Sequence, residues 1–461
     1  MRTYHAFAAT GLLVCGLVAP SSIRAEQAPA DEPADKIEVE IEAEAETPDL
    51  LDTTPTVESD FGFLEQQIYR GEARQAADHL QTMVQQVEAT RHRYHEDLLL
   101  PLTLLGDALM VQREYGVALE HYERARHIAR VSYGLFDPRQ LAVVYREAEA
   151  YKKVGDLASA GQREEYAYEV LLKAYDVHDP QVLPALMRLG RFYLETYNYL
   201  AARTLFNRAM NVHSSNGTDY SIAAVPALQG IALSYRLERF PPYYIATASD
   251  NQRLQGPTPG LTNSDLDNQQ VSFNSFPAGE KALQQIVEIQ RRQDPQDAEA
   301  TLDAIVALAD WHLLFSRNNT AATLYSHVYE QMAEQGEDAA AFFGAPKLIY
   351  LPKPSDPTPP DVATQIQPAQ GMVELSFNVS TTGRVRKLKT TESQPPKLMD
   401  FRVRRSMRLA IYRPKLIEAV PVLTEGETYR HEFEYYPAQA PIEPGDPPVA
   451  ENNPEAEVSE S

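Results

Sequence analysis

The stretch LTLLGDALMVQREYGVALEHYERA, residues 102–125, carries the pattern that decides the fold. The small residues Gly106 and Ala118 lie twelve positions apart, and the large residues Leu109 and Tyr122 follow them. A small residue lets two helices cross closely, while large residues on either side fill the remaining space. The stretch therefore predicts a pair of packed helices.

The same pattern recurs with a period of 42 residues. The small residue of the first helix returns at Gly106, Ala148, Gly190 and Ala232, and the second helix repeats through Ala118, Ala160 and Ala202. Asp-Pro pairs begin at 137 and 179, again 42 apart, and mark stops between repeats. Such self-similarity predicts a solenoid of stacked helix pairs, in which each repeat contacts its neighbours.

This pattern resembles the tetratricopeptide repeat in its 42-residue form, which kinesin light chains typify. The resemblance covers residues 61–335, from an atypical first repeat around Ala76 to a last repeat that keeps Ala309 and Tyr325. Because Ala232 and Ala309 are 77 residues apart, one repeat contains an insertion at about 241–277, which is either functional or merely tolerated. The residues that match the motif in the quoted stretch are Leu105, Gly106, Leu109, Ala118, Tyr122 and Ala125.

A second stripe on each first helix, at spacing i, i+4, i+7, is expected to face the concave groove of the solenoid. Its mixed charge and its Met, Tyr and Leu side chains suit a peptide or a protein segment. A solvated face that binds nothing strongly is the alternative. The predicted groove residues are Thr103, Asp107, Met110, Tyr145, Glu149, Lys152, Met187, Arg191, Leu194, Gln229, Leu233 and Arg236.

The first 25 residues have the features of an export signal. Arg2 precedes an apolar run over 6–19, and the small residue Ala25 ends the segment, which predicts cleavage after it and a periplasmic protein. The run is shorter than the roughly 20 residues that a membrane helix needs, so an inner-membrane anchor is the alternative. The only cysteine, Cys15, lacks the preceding small residue expected of a lipid attachment site.

Most of the net charge of −23 is concentrated in two segments. Residues 26–60 contain 13 acidic groups and one basic group, and residues 438–461 contain six acidic groups and no basic one. Both segments are rich in Pro, Ala and Glu, which predicts disorder. Residues 336–369 are predicted to form a proline-rich linker ahead of a basic terminal module over 370–437.

The terminal module has the pattern of a small α+β domain. ELSFNVSTTGRVRKLKT, residues 374–390, predicts a β-hairpin with a bulge, and TYRHEFEYY, residues 428–436, predicts a closing strand. Between them, LMDFRVRRSMRLAIYRP, residues 398–414, predicts a helix whose arginines point outward. The residues expected to point inward are Leu398, Phe401, Met407 and either Ala410 or Ile411.

This order of elements resembles the C-terminal domain of the TonB family of energy transducers. Ala410 and Ile411 depart from the family pattern, which commonly has Trp-Arg there. The matching positions are Gly371, the alternating residues Val373 to Val379, Gly383-Arg384-Val385, Ser393, Tyr412-Arg413-Pro414 and Pro421-Val422.

The resemblance implies that the module captures an extended peptide by adding it as a strand to the edge of its sheet. A domain that only caps or dimerises the chain is the alternative. The residues expected to bind the partner are Arg402, Arg405, Arg408, Tyr429, His431, Phe433 and Tyr435.

No enzyme signature is found. The sequence has no phosphate-binding glycine loop after a strand and no Gly-x-Ser-x-Gly elbow, so no catalytic residue and no cofactor are expected. His92, His95 and Glu96 lie within one turn, but this spacing alone does not predict a metal site. Net acidity argues against nucleic acid as a partner.

The sequence therefore predicts a mainly α protein, an α-solenoid of tetratricopeptide-like helix pairs followed by a small α+β TonB-like C-terminal domain. Its expected role is a non-catalytic periplasmic adaptor for proteins or extended peptide segments, among them outer-membrane receptors and other TonB-system components. The alternative is a membrane-anchored TonB-type energy transducer, and contact with a membrane is expected only if the N-terminal segment is retained.

Overall fold

A computed structural model describes residues 57–242, 275–293, 297–355, 357 and 367–437. The insertion at about 241–277, the signal segment and both acidic segments fall almost wholly outside these residues. The helices are α1 Val57–Tyr69, α2 Ala73–Thr90, α3 Leu99–Val111, α4 Tyr115–Tyr133, α5 Leu141–Val154, α6 Leu157–Ala174, α7 Leu183–Glu195, α8 Tyr199–Ser215, α9 Val225–Arg239, α10 Ser275–Arg291, α11 Ala298–Leu314, α12 Asn318–Glu334, α13 Ala339–Phe342 and α14 Asp400–Met407.

The first twelve helices form consecutive packed pairs, α1 with α2 through α11 with α12. Helices α9 and α10 pack together as one such pair although the insertion lies between them. Each pair also packs against the next, so the chain forms a solenoid of helical repeats. Among the described residues, no helix is long and apolar enough to cross a bilayer.

The small residues spaced by 42 lie where the two helices of a repeat cross. The position of a Cβ on Gly106 would be 2.3 Å from Cε1 of Tyr122, and one on Gly190 would be 2.7 Å from Cε1 of Phe206. Both aromatic rings are almost fully buried. The second helix thus fills the space that the missing side chain of the first leaves, as the sequence pattern predicts.

Short 3-10 turns precede α3, α5, α7 and α9, and polar side chains cap the first three of them. Asp137 and Asp179 accept hydrogen bonds from the backbone N–H groups two residues later, each just before a proline. An aspartate that caps a helical turn and a proline at the first helical position both favour the start of a helix. The two Asp-Pro pairs therefore begin repeats as well as separating them.

Seven strands follow the solenoid among the described residues: β1 Lys347–Tyr350, β2 Ala369–Val379, β3 Val385–Gln394, β4 Ile411–Arg413, β5 Leu416–Ile417, β6 Val420–Pro421 and β7 Thr424–Tyr435. Strands β3, β2 and β7 form an antiparallel sheet in that order. Helix α14 covers one face through Met399, Val403 and Met407, which pack against alternate residues of β2.

The structure differs from the sequence expectation in the terminal helix. Leu398 and Phe401 were predicted to point inward, but both are exposed, and Phe401 is 70% accessible. The helix is only two turns long and begins at Asp400. The residues that pack against the sheet are its N-cap Met399, Val403 and Met407, which are four residues apart. Ile411 belongs to β4 instead of the helix.

The segment predicted to be a linker over 336–369 contains ordered structure in its first half. Helix α13 follows α12, and β1 pairs with β4 of the terminal module in antiparallel register, Lys347 opposite Arg413. Ile411 and Leu416 of the module belong to the same apolar cluster as the last solenoid helices. The part of the chain expected to separate the two modules therefore joins them.

Candidate functional site

A cluster of three side chains joins successive repeats in the N-terminal half. Asp107 on α3 accepts a 2.6 Å hydrogen bond from the hydroxyl of Tyr122 on α4. It also accepts two bonds, of 2.8 and 2.9 Å, from the Nε of Arg146 on the next repeat. Glu149 and Arg188, again 39 residues apart, repeat the ion pair one step further along. An acidic residue of one repeat thus binds an arginine of the following repeat.

The same cluster recurs at the C-terminal end of the solenoid, with a different source of arginine. The hydroxyl of Tyr325 donates a 2.6 Å bond to Asp310, with the same sequence spacing of 15 as Tyr122 and Asp107. Arg413 of β4 binds both oxygens of Asp310, at 3.1 and 2.8 Å. The terminal module therefore supplies the arginine that a further repeat would have supplied.

This end cluster is well shielded from water. The side chain of Arg413 is 6% exposed and that of Asp310 is 20% exposed. Burial works to lower the pKa of Arg413, but the hydrogen bonds and the charge of Asp310 outweigh it and raise that pKa. Burial and the Asp310 carboxylate also raise the pKa of Tyr325. These raised pKa values keep Arg413 charged and Tyr325 neutral near neutral pH.

Hydrogen bonds to backbone carbonyls extend the junction on both sides of this cluster. The N–H of Leu416 donates to the carbonyl of Phe343, and the hydroxyl of Ser326 donates to the carbonyl of Ala419. The guanidinium of Arg236 donates a 2.7 Å bond to the carbonyl of Ile349 in β1. Helices of two repeats are thus bonded to the terminal module.

The predicted groove residues divide into three groups in the structure. Thr103 and Leu194 are buried, and Arg236 is bound to β1, so these three do not fit the prediction of an open binding surface. The packing of α3 and α7 on both sides explains the burial, because these helices lie between neighbouring repeats. The ion pairs occupy a second group, namely Asp107, Glu149 and Lys152.

The remaining groove residues keep accessible surface. Arg191, Gln229 and Leu233 are exposed, whereas Met110, Tyr145 and Met187 are half-buried. Tyr145 is covered by the guanidinium of Arg188, 4.2 Å from its ring centre. Gln229 also lines a shallow pocket between α9, α10 and α11 whose other walls include Leu283, Ile286, Ala304 and the acidic Asp303.

The last strand, β7, lies at an edge of the terminal sheet. It pairs with β2 alone among the described strands, and from Glu427 to Tyr435 the pairing runs without a register shift. The opposite edge strand, β3, is interrupted by two register shifts, and Lys387 within it has a positive φ of 50°. Distorted edges resist further pairing, whereas a regular edge favours it.

The aromatic residues predicted on β7 form a row on the face that α14 shares. The ring centres of Tyr429, His431, Phe433 and Tyr435 follow one another at 6.4, 6.1 and 6.1 Å. His431 and Phe433 are buried, while Tyr429 and Tyr435 are half-buried. His431 and Phe433 therefore serve the core of the module instead of contacting a partner directly, which corrects their assignment.

The three arginines predicted to bind a partner are exposed, Arg402 and Arg405 on α14 and Arg408 directly after it. Arg402 donates a bond to the carbonyl of Ser355, in the segment that runs beside the helix. Helix α14 packs over β3 and β2, which lie away from the β7 edge. The basic surface of Arg402, Arg405 and Arg408 and the open strand edge are thus on different parts of the module.

The histidines near residue 95 have a structural role. The Nδ1 atom of His92 accepts from the backbone N–H of Tyr94, and Nδ1 of His95 accepts from that of Asp97. His95 thereby caps the 3-10 turn before α3. Within the ranges that the structure describes, no three His, Cys, Asp or Glu side chains converge in a way that would hold a metal ion.

The chain is similar in structure to several solved repeat proteins. No family model and no curated protein matches the sequence. A crystal structure of the nearly identical TPR-like repeats of a Podosopora anserina putative kinesin light chain is 16% identical, with a TM-score of 0.36 over 47% of this chain and 96% of that one. BtubC (BKLC) from P. vanneervenii is 13% identical, with a TM-score of 0.39 over 64% and 96%. A tetratricopeptide repeat protein from Parabacteroides merdae is 14% identical, with a TM-score of 0.28 over 59% and 93%.

Proposed function

We propose that this protein is a non-catalytic scaffold that binds extended peptide segments by adding them to the β7 edge of a TonB-like terminal module. The observation that carries the proposal is the regular pairing of β7 from Glu427 to Tyr435, with no described strand on its other side. Such an edge presents a row of backbone N–H and C=O groups that an extended chain can pair with.

The second edge of the sheet is a poorer acceptor. The start of β3 is tied to β4 by a bridge between Arg384 and Ile411, and its middle is bulged. Arg384 also donates a 2.8 Å bond to the hydroxyl of Ser316 on the solenoid. Strand addition is therefore directed to β7, which is the longest strand of the described module.

The solenoid supplies a second binding surface in this proposal. Repeats of helix pairs bind protein segments along their accessible first helices, and Arg191, Gln229 and Leu233 keep exposed surface there. Periplasmic segments of outer-membrane receptors, or other TonB-system components, are the proposed source of the peptides. A membrane-anchored energy transducer is the alternative within the same class.

Proline substitutions on β7 test strand addition. On an edge strand, the N–H groups of adjacent residues point alternately to the neighbouring strand and outward. Of His431→Pro and Arg430→Pro, one therefore removes an outward donor and the other removes a bond to β2. The variant that lacks the outward donor is expected to fold and to lose at least tenfold in peptide affinity, since proline also distorts the edge.

The probes are synthetic nine-residue peptides of alternating apolar and polar residues, added to the full chain. Hydrogen exchange read by mass spectrometry is expected to show slower exchange over residues 424–435 when peptide is present, with little change over β3. If peptides bind while exchange in β7 is unaltered, or if both folded proline variants bind as well as the native chain, strand addition is wrong.

A structural cap for the solenoid is a second candidate function of the module. The bidentate contact of Arg413 with Asp310, which repeats the contact of Arg146 with Asp107, favours it specifically. A cap alone would bind no peptide. The two functions are separated by comparing the native chain with the folded proline variant that lacks the outward donor. If the native chain binds peptide and this variant does not, the module is more than a cap.

Export is the remaining part of the proposal. The apolar run over 6–19 and the small residue Ala25 support cleavage of a signal peptide and a periplasmic location. Sequencing the N-terminus of the protein recovered from the periplasm of a bacterial host is expected to give Glu26 as the first residue. Recovery in the membrane fraction with residues 1–25 retained would instead support the anchored transducer.

A further inference from the structure

The outward face of the β7 edge is acidic. Residues whose side chains alternate with the aromatic row are Arg430, Glu432 and Glu434, and the two glutamates are exposed. Arg430 is engaged on the sheet itself, because its Nε lies 3.1 Å from the carboxylate of Glu432 and its register partner on β2 is Glu374. Net negative charge therefore remains along the outward side of this edge.

The inward side of the same edge is apolar. Tyr429 and Tyr435 are half-buried there, and burial raises the pKa of Tyr429, which stays neutral. Helix α14 packs over β3 and β2. The aromatic row on β7 is therefore the part of the apolar face that lies farthest from the helix, next to the open edge. Apolar side chains of an added strand would pack beside these rings.

We propose that β7 accepts a strand whose side chains alternate between apolar groups beside the aromatic row and Lys or Arg beside Glu432 and Glu434. This inference rests on strand addition and specifies the partner. The exposed arginines of α14 would by themselves favour an acidic partner. They lie on the helix side of the sheet, whereas the two glutamates lie on the opposite face, so the preference at the β7 edge is the reverse. Cross-strand pairs of opposite charge are favourable in antiparallel sheets, and like charges are unfavourable.

Three fluorescent nine-residue peptides provide the test, with valine at alternate positions and lysine, glutamate or serine between. Anisotropy titrations of the full chain in low salt are expected to show that the lysine peptide binds about three- to tenfold more tightly than the glutamate peptide. The difference is expected to shrink at 0.5 M salt, because exposed charges are screened.

Charge reversal on the sheet provides a matched control. Glu434 accepts a bond from the amide of Gln370, and Glu392 on β3 accepts one from Gln394, so the two exposed glutamates have similar local settings. Glu434→Lys is expected to weaken the lysine peptide and to strengthen the glutamate peptide. Glu392→Lys, two strands away from the edge, is expected to change the affinity for either peptide less than twofold.

The outcomes separate this inference from the proposed function. If all three peptides slow hydrogen exchange in β7 but bind with equal affinity, or if the glutamate peptide binds most tightly, the charge preference is wrong while strand addition stands. If none of the peptides slows exchange in β7, strand addition itself fails. A similar response of Glu434→Lys and Glu392→Lys would also overturn the inference, since it would place the effect outside the edge.

Discussion

Replacing Arg413 by alanine is expected to lower the free energy of unfolding of the last repeat and its attached module by about 3–5 kcal/mol. The change removes the guanidinium that binds both oxygens of Asp310, in a site where the native arginine is 6% exposed. A charge that loses its partner away from water bears the full cost of its lost hydration. Chemical unfolding followed by circular dichroism measures the loss.

Arg292→Ala is the matched control for this prediction. Arg292, which directly follows α10, forms an ion pair with Glu288 and lies over the ring of Tyr220, and both side chains of the pair are about half exposed. Pairs of this kind contribute less than about 1 kcal/mol. A double-mutant cycle with Asp310→Asn is expected to show strong coupling to Arg413. Equal losses in Arg413→Ala and Arg292→Ala would mean that the junction does not depend on the buried pair.

Gly190→Leu is expected to destabilise the solenoid by about 1–3 kcal/mol or more through overpacking. Even the first added atom, a Cβ, would lie 2.7 Å from Cε1 of Phe206, which is almost fully buried and has little room to move. The longer leucine side chain would force α7 and α8 apart. Thermal unfolding followed by circular dichroism is the measurement.

Gly116→Leu separates overpacking from the general effect of replacing a helical glycine. Gly116 lies in α4, is exposed, and has nothing within 4 Å of the position of an added Cβ. Removing glycine from an exposed helix typically stabilises it by somewhat less than about 1 kcal/mol. The two variants should therefore shift the unfolding midpoint in opposite directions, and a shift of the same sign and size would refute the helix crossing at Gly190.

The helix pairs were predictable from sequence because their determinants are local and periodic. Gly106 and Tyr122, or Gly190 and Phe206, are 16 residues apart and recur every 42, so packing leaves a visible pattern. The junction left no such pattern. Arg413 lies 103 residues from Asp310. In the sequence it stands out only as part of Tyr412-Arg413-Pro414, at the end of the predicted helix.

One signal for the junction was nevertheless present in the sequence. Asp310 and Tyr325 keep the spacing of Asp107 and Tyr122, and an aspartate at this position binds an arginine of the next repeat. Since no repeat follows α12 in the described part of the chain, the last aspartate requires a cation from elsewhere. The sequence does not identify the source of this cation, because the terminal module contains several arginines and the sequence pattern does not distinguish Arg413 from the others.

The exposure of the candidate binding residues was predicted less well than the fold. Alternation correctly predicts that the aromatic residues from Tyr429 to Tyr435 share one face. It does not show that α14 covers this face, so it also predicts that His431 and Phe433 are accessible. Periodicity likewise identified a stripe on each first helix without showing which residues neighbouring repeats bury. The predicted stripe therefore includes Thr103 and Leu194, which are buried, because burial depends on how the repeats pack together.

The pairing of β1 with β4 bears on how the two proposed binding surfaces would act together. A flexible tether would give a second bound segment an effective concentration that depends on tether length, whereas a strand pair, a buried ion pair and backbone bonds fix the distance. A partner that carries two segments would gain avidity only when its own spacing matches that distance. The scaffold would then select its partners by the interval between two segments as well as by their sequences.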